Sequence, residues 1–216
     1  MKLKVGKTTL TLSYPLACVT AAVLILDTSG KVLLCFCAAL MHAGGHLFAL
    51  RCCHTPPEEI KLSLFDAAII DRKKQLHPFS HELAITLSGI AVNFLSASVG
   101  WVLYSIHPHP LLKVFIAAHL TLGIFNALPV DSLDGGQALL LILERFFPPD
   151  RAERLLLLLS VLILLPTAII GFWLLLVTKY NFTLLLSALY LTSLLLLKPR
   201  KPHRKTSAKK PQIPVS

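Results

Sequence analysis

The chain has 216 residues, of which 55% are hydrophobic and 15% charged, with a mean hydropathy of +0.70. Soluble domains carry about 25% charged residues, so the composition excludes an intrinsically disordered chain and a water-soluble enzyme and selects a lipid bilayer as solvent. The net charge of +10 is no nucleic-acid signal, because it is not laid out as a basic face with interleaved aromatics.

A bilayer core about 30 Å thick takes about 20 apolar residues per helix. Six stretches fit: residues 10–26, 32–50, 83–106, 111–129, 155–177 and 182–197. The first follows Lys2, Lys4 and Lys7 and precedes the run DTSG at 27–30, with no small-x-small cleavage pattern, so it is read as a retained helix and not a signal peptide. With both termini in the cytoplasm, segments 1–9, 51–82, 140–154 and 198–216 face inward. They hold every one of the 21 Lys and Arg except Lys31, Lys113 and Lys179, as the positive-inside rule requires.

Segment 51–82 is too polar to cross. Its run EIKLSLF at 59–65 alternates polar and apolar residues like a half-exposed strand, and residues 67–71 offer a second, making a cytoplasmic β-hairpin. The expected fold is therefore an all-α polytopic membrane protein of about six transmembrane helices, with a small hairpin between the second and third. A membrane domain over 1–197 is followed by a basic, disordered tail over 198–216. The tail has seven Lys and Arg, no acid and four prolines (Pro199, Pro202, Pro211 and Pro214), as suits a solvated segment beside anionic head groups. Cys18, Cys35 and Cys37 lie in apolar runs, Cys52 and Cys53 are adjacent, and no CxxC occurs. These are small hydrophobes of a reducing compartment and not a disulfide framework.

Ionisable residues within a membrane are costly and mark function by default. His42 and His46 stand four apart in the second stretch, one turn along one helical face. Two imidazoles so placed either meet one metal ion or glue helices together by hydrogen bonds. The fourth stretch ends in NALPVDSLDGGQ at 126–137, where Pro129 and Gly135–Gly136 interrupt the helix and free backbone groups that must find partners. Asp134 at this break caps a helix or offers a carboxylate oxygen to a metal, two readings that need not exclude one another. Two imidazole nitrogens and a carboxylate, with a fourth position open, form a ligand set of catalytic zinc. In the derived orientation the second and fourth stretches both run from outside to inside, so all three residues share a depth near the cytoplasmic face. His119 is read as a packed polar residue, with a hydrogen bond to the site as its other reading. Cys35, seven residues before His42, is read as core packing. His107 and His109 turn the chain, and 150–154 with Glu144 and Arg145 form an interfacial charge cluster.

Taken together these motifs resemble the site-2-type intramembrane zinc metalloproteases, in particular the compact bacterial branch that includes the sporulation protease. The resemblance rests on HAGGHLFAL at 42–50, EIKLSLF at 59–65, SGIAVN at 88–93, NALP at 126–129 and LDGG at 133–136, and spans residues 10 to 200. It implies zinc held by His42, His46 and Asp134. Asn93 and Asn126 would line the cavity and hold a substrate backbone, and Ser88 and Gly89 would help receive it once the substrate helix unwinds. It further implies a bacterial cytoplasmic membrane and a membrane-anchored protein partner, cut in or near its transmembrane segment; no nucleic-acid partner is expected. One departure outweighs the matches. The family motif is HExxH, and here Ala43 occupies the glutamate position. That carboxylate takes the proton from the attacking water and hands it to the leaving amine, a service worth about 10²–10⁴-fold, so hydrolysis is expected to be impaired.

Three readings of Ala43 stay open: an introduced Glu→Ala exchange, a natural pseudoprotease that binds membrane partners without cutting them, or another carboxylate as base, Asp131 being nearest in sequence. Lesser departures are Ile90, where the family often has proline, and Gly44, which matches nothing. The alternatives in other functional classes are a non-catalytic membrane scaffold and a metal-ion transporter built on the histidine pair. The transporter is disfavoured because the outer halves of the stretches hold few acids or histidines.

Overall fold

Lipid offers no hydrogen bonds to a backbone, so long apolar stretches close their own as helices. The computed structural model describes residues 2–5, 8–54, 59–62, 67–70, 78–179 and 182–197; the basic tail expected at 198–216 lies outside them. The order is β1 (Lys2–Val5), β2 (Thr8–Leu12), α1 (Tyr14–Leu26), α2 (Lys31–Cys52), β3 (Glu59–Leu62), β4 (Ala67–Ile70), α3 (Phe79–Ile106), α4 (Pro110–Ala127), α5 (Asp134–Phe146), α6 (Pro149–Thr178) and α7 (Thr183–Leu197). Among the described residues α2, α3, α4 and α6 are long and apolar enough to cross a membrane. The chain is thus a mostly helical, multi-pass membrane protein, with four helices of crossing length where six were expected. Helix α1 has 13 residues and α7 has 15, short of the about 20 that a crossing takes.

The reason the first stretch shortens is local. Residues 8–12 read TTLTL, a period-two pattern rich in β-branched residues that suits a strand better than a helix. Helix α1 begins only at Tyr14, just ahead of Pro15, a residue type favoured in the first helical turn. Strand β2 pairs antiparallel with β1 (Lys2 opposite Thr11) and parallel with β3 (Thr9 opposite Glu59), and β3 pairs antiparallel with β4 (Glu59 opposite Ile70). The reading of residues 1–9 as no more than a basic lead is corrected: they furnish β1 and the start of β2 in a four-stranded sheet.

Between α1 and α2, Asp27 organises the turn. Its carboxylate accepts from the Leu33 N–H at 3.0 Å and from the Ser29 N–H and hydroxyl at 3.2 and 2.8 Å. The Leu33 N–H above all holds this carboxyl below its ordinary range. Helix α2 starts there after Gly30, whose φ of 70° is easy only for glycine.

The described residues fall into two compact units, divided within α6 after Pro166. In the first, small residues let α3 approach its neighbours, as helix association in lipid requires. A Cβ on Gly45 would stand 2.8 Å from Ser88 O, and one on Gly100 would stand 3.0 Å from the Ile116 and Phe115 side chains. Ala38, Ile90, Ala97, Ile116, Val130 and Leu156 fill the interior, while Trp101, Leu158 and Leu162 face outward, where acyl chains would cover them. In the second unit, Gly171 of α6 meets the backbone of Leu185 in α7: a Cβ would be 2.7 Å from its nitrogen. Helix α5 occupies residues 134–146, the helix that the capping reading of Asp134 implied without giving it a length.

Candidate metal centre

His42 and His46 sit one turn apart on α2, with their Nε2 atoms 3.3 Å from each other and their rings edge to face at 82°. Asp134 opens α5 and brings Oδ2 to 3.0 Å from His42 Nε2 and 3.1 Å from His46 Nε2. Its capping reading is corrected: Leu133 is the N-cap, and Asp134 is the first helical residue with its carboxylate turned to the two rings. Two ligands 2.0–2.1 Å from a tetrahedral ion stand about 3.3 Å apart, so these three atoms match one face of such a tetrahedron in size. Side-chain exposures of 14, 13 and 23% leave the face partly open, enough for a fourth ligand to approach. Among the described residues no fourth His, Cys, Asp or Glu joins the group.

At His46 the proton falls where a metal needs it. His46 Nδ1 lies 2.8 Å from the Ile85 carbonyl, which only accepts, so Nδ1 carries the hydrogen and Nε2 presents its lone pair to the cluster. The Ser88 hydroxyl donates to the same carbonyl at 2.6 Å. His42 Nδ1 lies 3.0 Å from the Asn93 amide, whose other end lies 3.1 Å from Nδ1 of His119. Donor set and spacing suit zinc, and so does the ring polarity of His46.

Glycine makes the approach of the strands of this site possible. A Cβ on Gly89 of α3 would collide with His46 Nε2 and stand 2.7 Å from His42 Cε1. At the other side of the site α4 stops at Ala127, because Leu128 precedes Pro129 and takes an extended conformation (φ −60°, ψ 137°). The chain then turns back tightly enough that Cβ atoms on Gly135 and Gly136 would collide with the carbonyls of Ala127 and Val130. The groups freed by this break find partners within the protein. The Asp131 N–H donates to Ser160 Oγ of α6 at 3.0 Å, and Gln137 Nε2 donates to the Asp131 carbonyl at 2.6 Å.

Of the residues singled out in the sequence, His42, His46 and Asp134 converge. Ala43 stands half-buried on the turn after His42 and brings no carboxylate, and Asp131 is buried in the α4–α5 turn outside the ligand group. Asn93 does not face the opening: it is fully buried behind His42, its amide held between two imidazoles. Asn126 is half-buried and donates to Leu122 O within its own helix. Cys35 is exposed in an apolar cleft between α2 and α4, lined also by Ala39, Val114, Ala117, Thr121 and Phe125, away from the ligands. His119 fits both of its readings: it is fully buried against Phe115 and bonded to Asn93, one step behind the site. No spacing rule could have named Asn93 as its partner, since Asn93 and His119 lie on different helices and meet only on packing.

Comparison with known proteins bears on the fold. The model of Peptidase family M50 matches residues 106–167, a segment that contains Asp134, Pro129 and both glycines of the break. In fold the chain is similar to the site-2 protease from Methanocaldococcus jannaschii, with a TM-score of 0.66 over 95% of this chain and 98% of that one, at 21% identity. No curated protein matches in sequence.

Proposed function

We propose, starting from the site-2 protease fold and the M50 segment that carries Asp134, that this protein is a membrane-embedded zinc protein of the site-2 type. It receives a transmembrane segment of a membrane-anchored partner, and its capacity to hydrolyse a peptide bond there is crippled by Ala43. Both termini face the cytoplasm of a bacterial cell membrane in this reading.

One observation carries the proposal: His42 Nε2, His46 Nε2 and Asp134 Oδ2 form a triangle with sides of 3.0–3.3 Å at the foot of apolar helices. A zinc ion held by these atoms would act as a Lewis acid on a peptide carbonyl. The chain's own residues hold and orient: Ile85 O fixes the ring of His46, Asn93 fixes that of His42, and Gly89 leaves room for both. Among the described residues no further carboxylate joins the ligands to take and return a proton. General acid–base help is worth about 10²–10⁴-fold, so binding outlasts turnover.

Zinc analysis of the purified full-length protein is expected to give one ion per chain, lost in Asp134→Ala. A membrane-anchored fusion carrying a transmembrane segment with helix-breaking residues serves as cleavage probe. Ala43→Glu should raise its cleavage by about 10²–10⁴-fold over the parent chain. Equal cleavage by both chains would overturn the role given to Ala43, and a zinc-free protein would overturn the metal centre. A second reading, a scaffold that keeps the metal without proteolysis, is favoured by the same Ala43. It is the outcome if zinc is bound and neither chain cuts.

A further inference from the structure

His119 lies inside α4, a helix that is otherwise almost wholly apolar, and none of its side chain reaches the surface. Its ring packs on Phe115 with 4.4 Å between centroids, Nδ1 bonds to Asn93 at 3.1 Å, and Nε2 has no hydrogen-bond partner. Leaving a buried ring nitrogen unpartnered costs about 1–3 kcal/mol, a cost that a leucine packed in the same place would not carry. The imidazole must therefore contribute through Nδ1, which leads by way of Asn93 to a metal ligand.

The two ends of the Asn93 amide allow two patterns of donation, because its oxygen and nitrogen exchange places by a half-turn with no change of shape. In one, His119 Nδ1–H donates to Asn93 Oδ1 and Asn93 Nδ2–H donates to His42 Nδ1. His42 then carries its hydrogen on Nε2 and donates to Asp134 Oδ2, which is 3.0 Å away. In the other, His42 Nδ1–H donates to Asn93 Oδ1 and Asn93 Nδ2–H donates to His119 Nδ1, which leaves the lone pair of His42 Nε2 for a metal. A neutral imidazole can serve as either donor or acceptor at Nδ1; a hydrocarbon would leave one end of the amide unpaired in both patterns. His46 needs no such device, since the Ile85 carbonyl only accepts.

We propose that His119 is a positioning residue of the metal site, acting through Asn93 to hold His42 in its metal-binding tautomer. The inference rests on the metal-centre reading above, and its test separates the two. The measurements are Zn²⁺ affinity by chelator competition and the visible spectrum of the Co²⁺-loaded full-length protein. Loss of an outer partner typically costs 10–100-fold in metal affinity. His119→Leu is expected to weaken Zn²⁺ binding by about that factor and to shift the Co²⁺ bands. His119→Asn, whose amide puts both a donor and an acceptor where Nδ1 stands, should restore affinity to within a few-fold and recover the spectrum. In an Asn93→Ala background, itself weakened, His119→Leu should cost nothing further.

Unchanged affinity in His119→Leu or in Asn93→Ala overturns the proposal, as does a second, independent loss in the Asn93→Ala background. Failure of His119→Asn to recover the Co²⁺ spectrum does the same. His119→Asn and Asn93→Ala decide the matter even if His119→Leu does not fold. A parent chain that binds no zinc overturns the metal centre itself, whereas variants equal to a zinc-binding parent overturn only the relay.

Discussion

Two junctions bring the ligands together, and they use glycine against different opponents. Where α3 crosses the two histidines, the space of the Gly89 Cβ is bordered by ring atoms of His42 and His46. Where α5 folds back under α4, the spaces beside Gly135 and Gly136 are bordered by the carbonyls of Ala127, Leu128 and Val130. Rings can rotate away from an intruding methyl, but a carbonyl moves only with its chain. The α4–α5 junction is therefore a condition of the fold, and the α2–α3 junction a condition of the metal geometry. The same division appears in the hydrogen bonds. The turn before α5 is tied through backbone groups to Ser160 and Gln137, whereas behind His42 the ties run from side chain to side chain.

Substitutions at three glycines separate the two roles. The largest effect is expected from Gly136→Ala, which drives a methyl into the Val130 carbonyl. Overpacking costs about 1–3 kcal/mol where neighbours can yield and more where they cannot. A loss of about 3 kcal/mol or more is expected in thermal unfolding of the detergent-solubilised protein, and an unshifted melting temperature would show that this turn has slack. Gly89→Ala is expected to act on the metal: Zn²⁺ affinity should fall tenfold or more, as the rings leave their shared face, while the zinc-free protein loses only about 1 kcal/mol. Equal losses of fold and metal would erase the distinction between the junctions. The smallest change belongs to Gly44→Ala. A Cβ there meets nothing within 4 Å, so the alanine should stabilise α2 by up to ~1 kcal/mol through helix propensity alone, with zinc binding unaffected.

Much of the site could be read from residue order, because its signals are local. Four-residue spacing puts His42 and His46 on one face of any helix, and Pro129 with Gly135–Gly136 announces a break wherever the chain goes. The convergence of the three ligands was also expected from topology, since the positive-inside reading of the loops orients both helices alike. The sequence reading went astray where a local pattern was overruled or a partner lay far along the chain. TTLTL at 8–12 is split in the sequence reading between a basic lead and an apolar stretch, although its strand pairs with β3, fifty residues later in the register of Thr9 with Glu59. Helix α5 carries no bounds in the sequence reading because 13 residues fall short of a crossing.

The positions of α2, α3, α4 and α6 and the candidate ligands were therefore set by composition and spacing, because in lipid a helix satisfies its backbone from within its own segment and needs no neighbour to declare itself. The four-stranded sheet, the path of the chain under α4 and the line from His42 through Asn93 to His119 came from packing. Each depends on which distant residues are brought within hydrogen-bonding reach, and no period along a single segment records that.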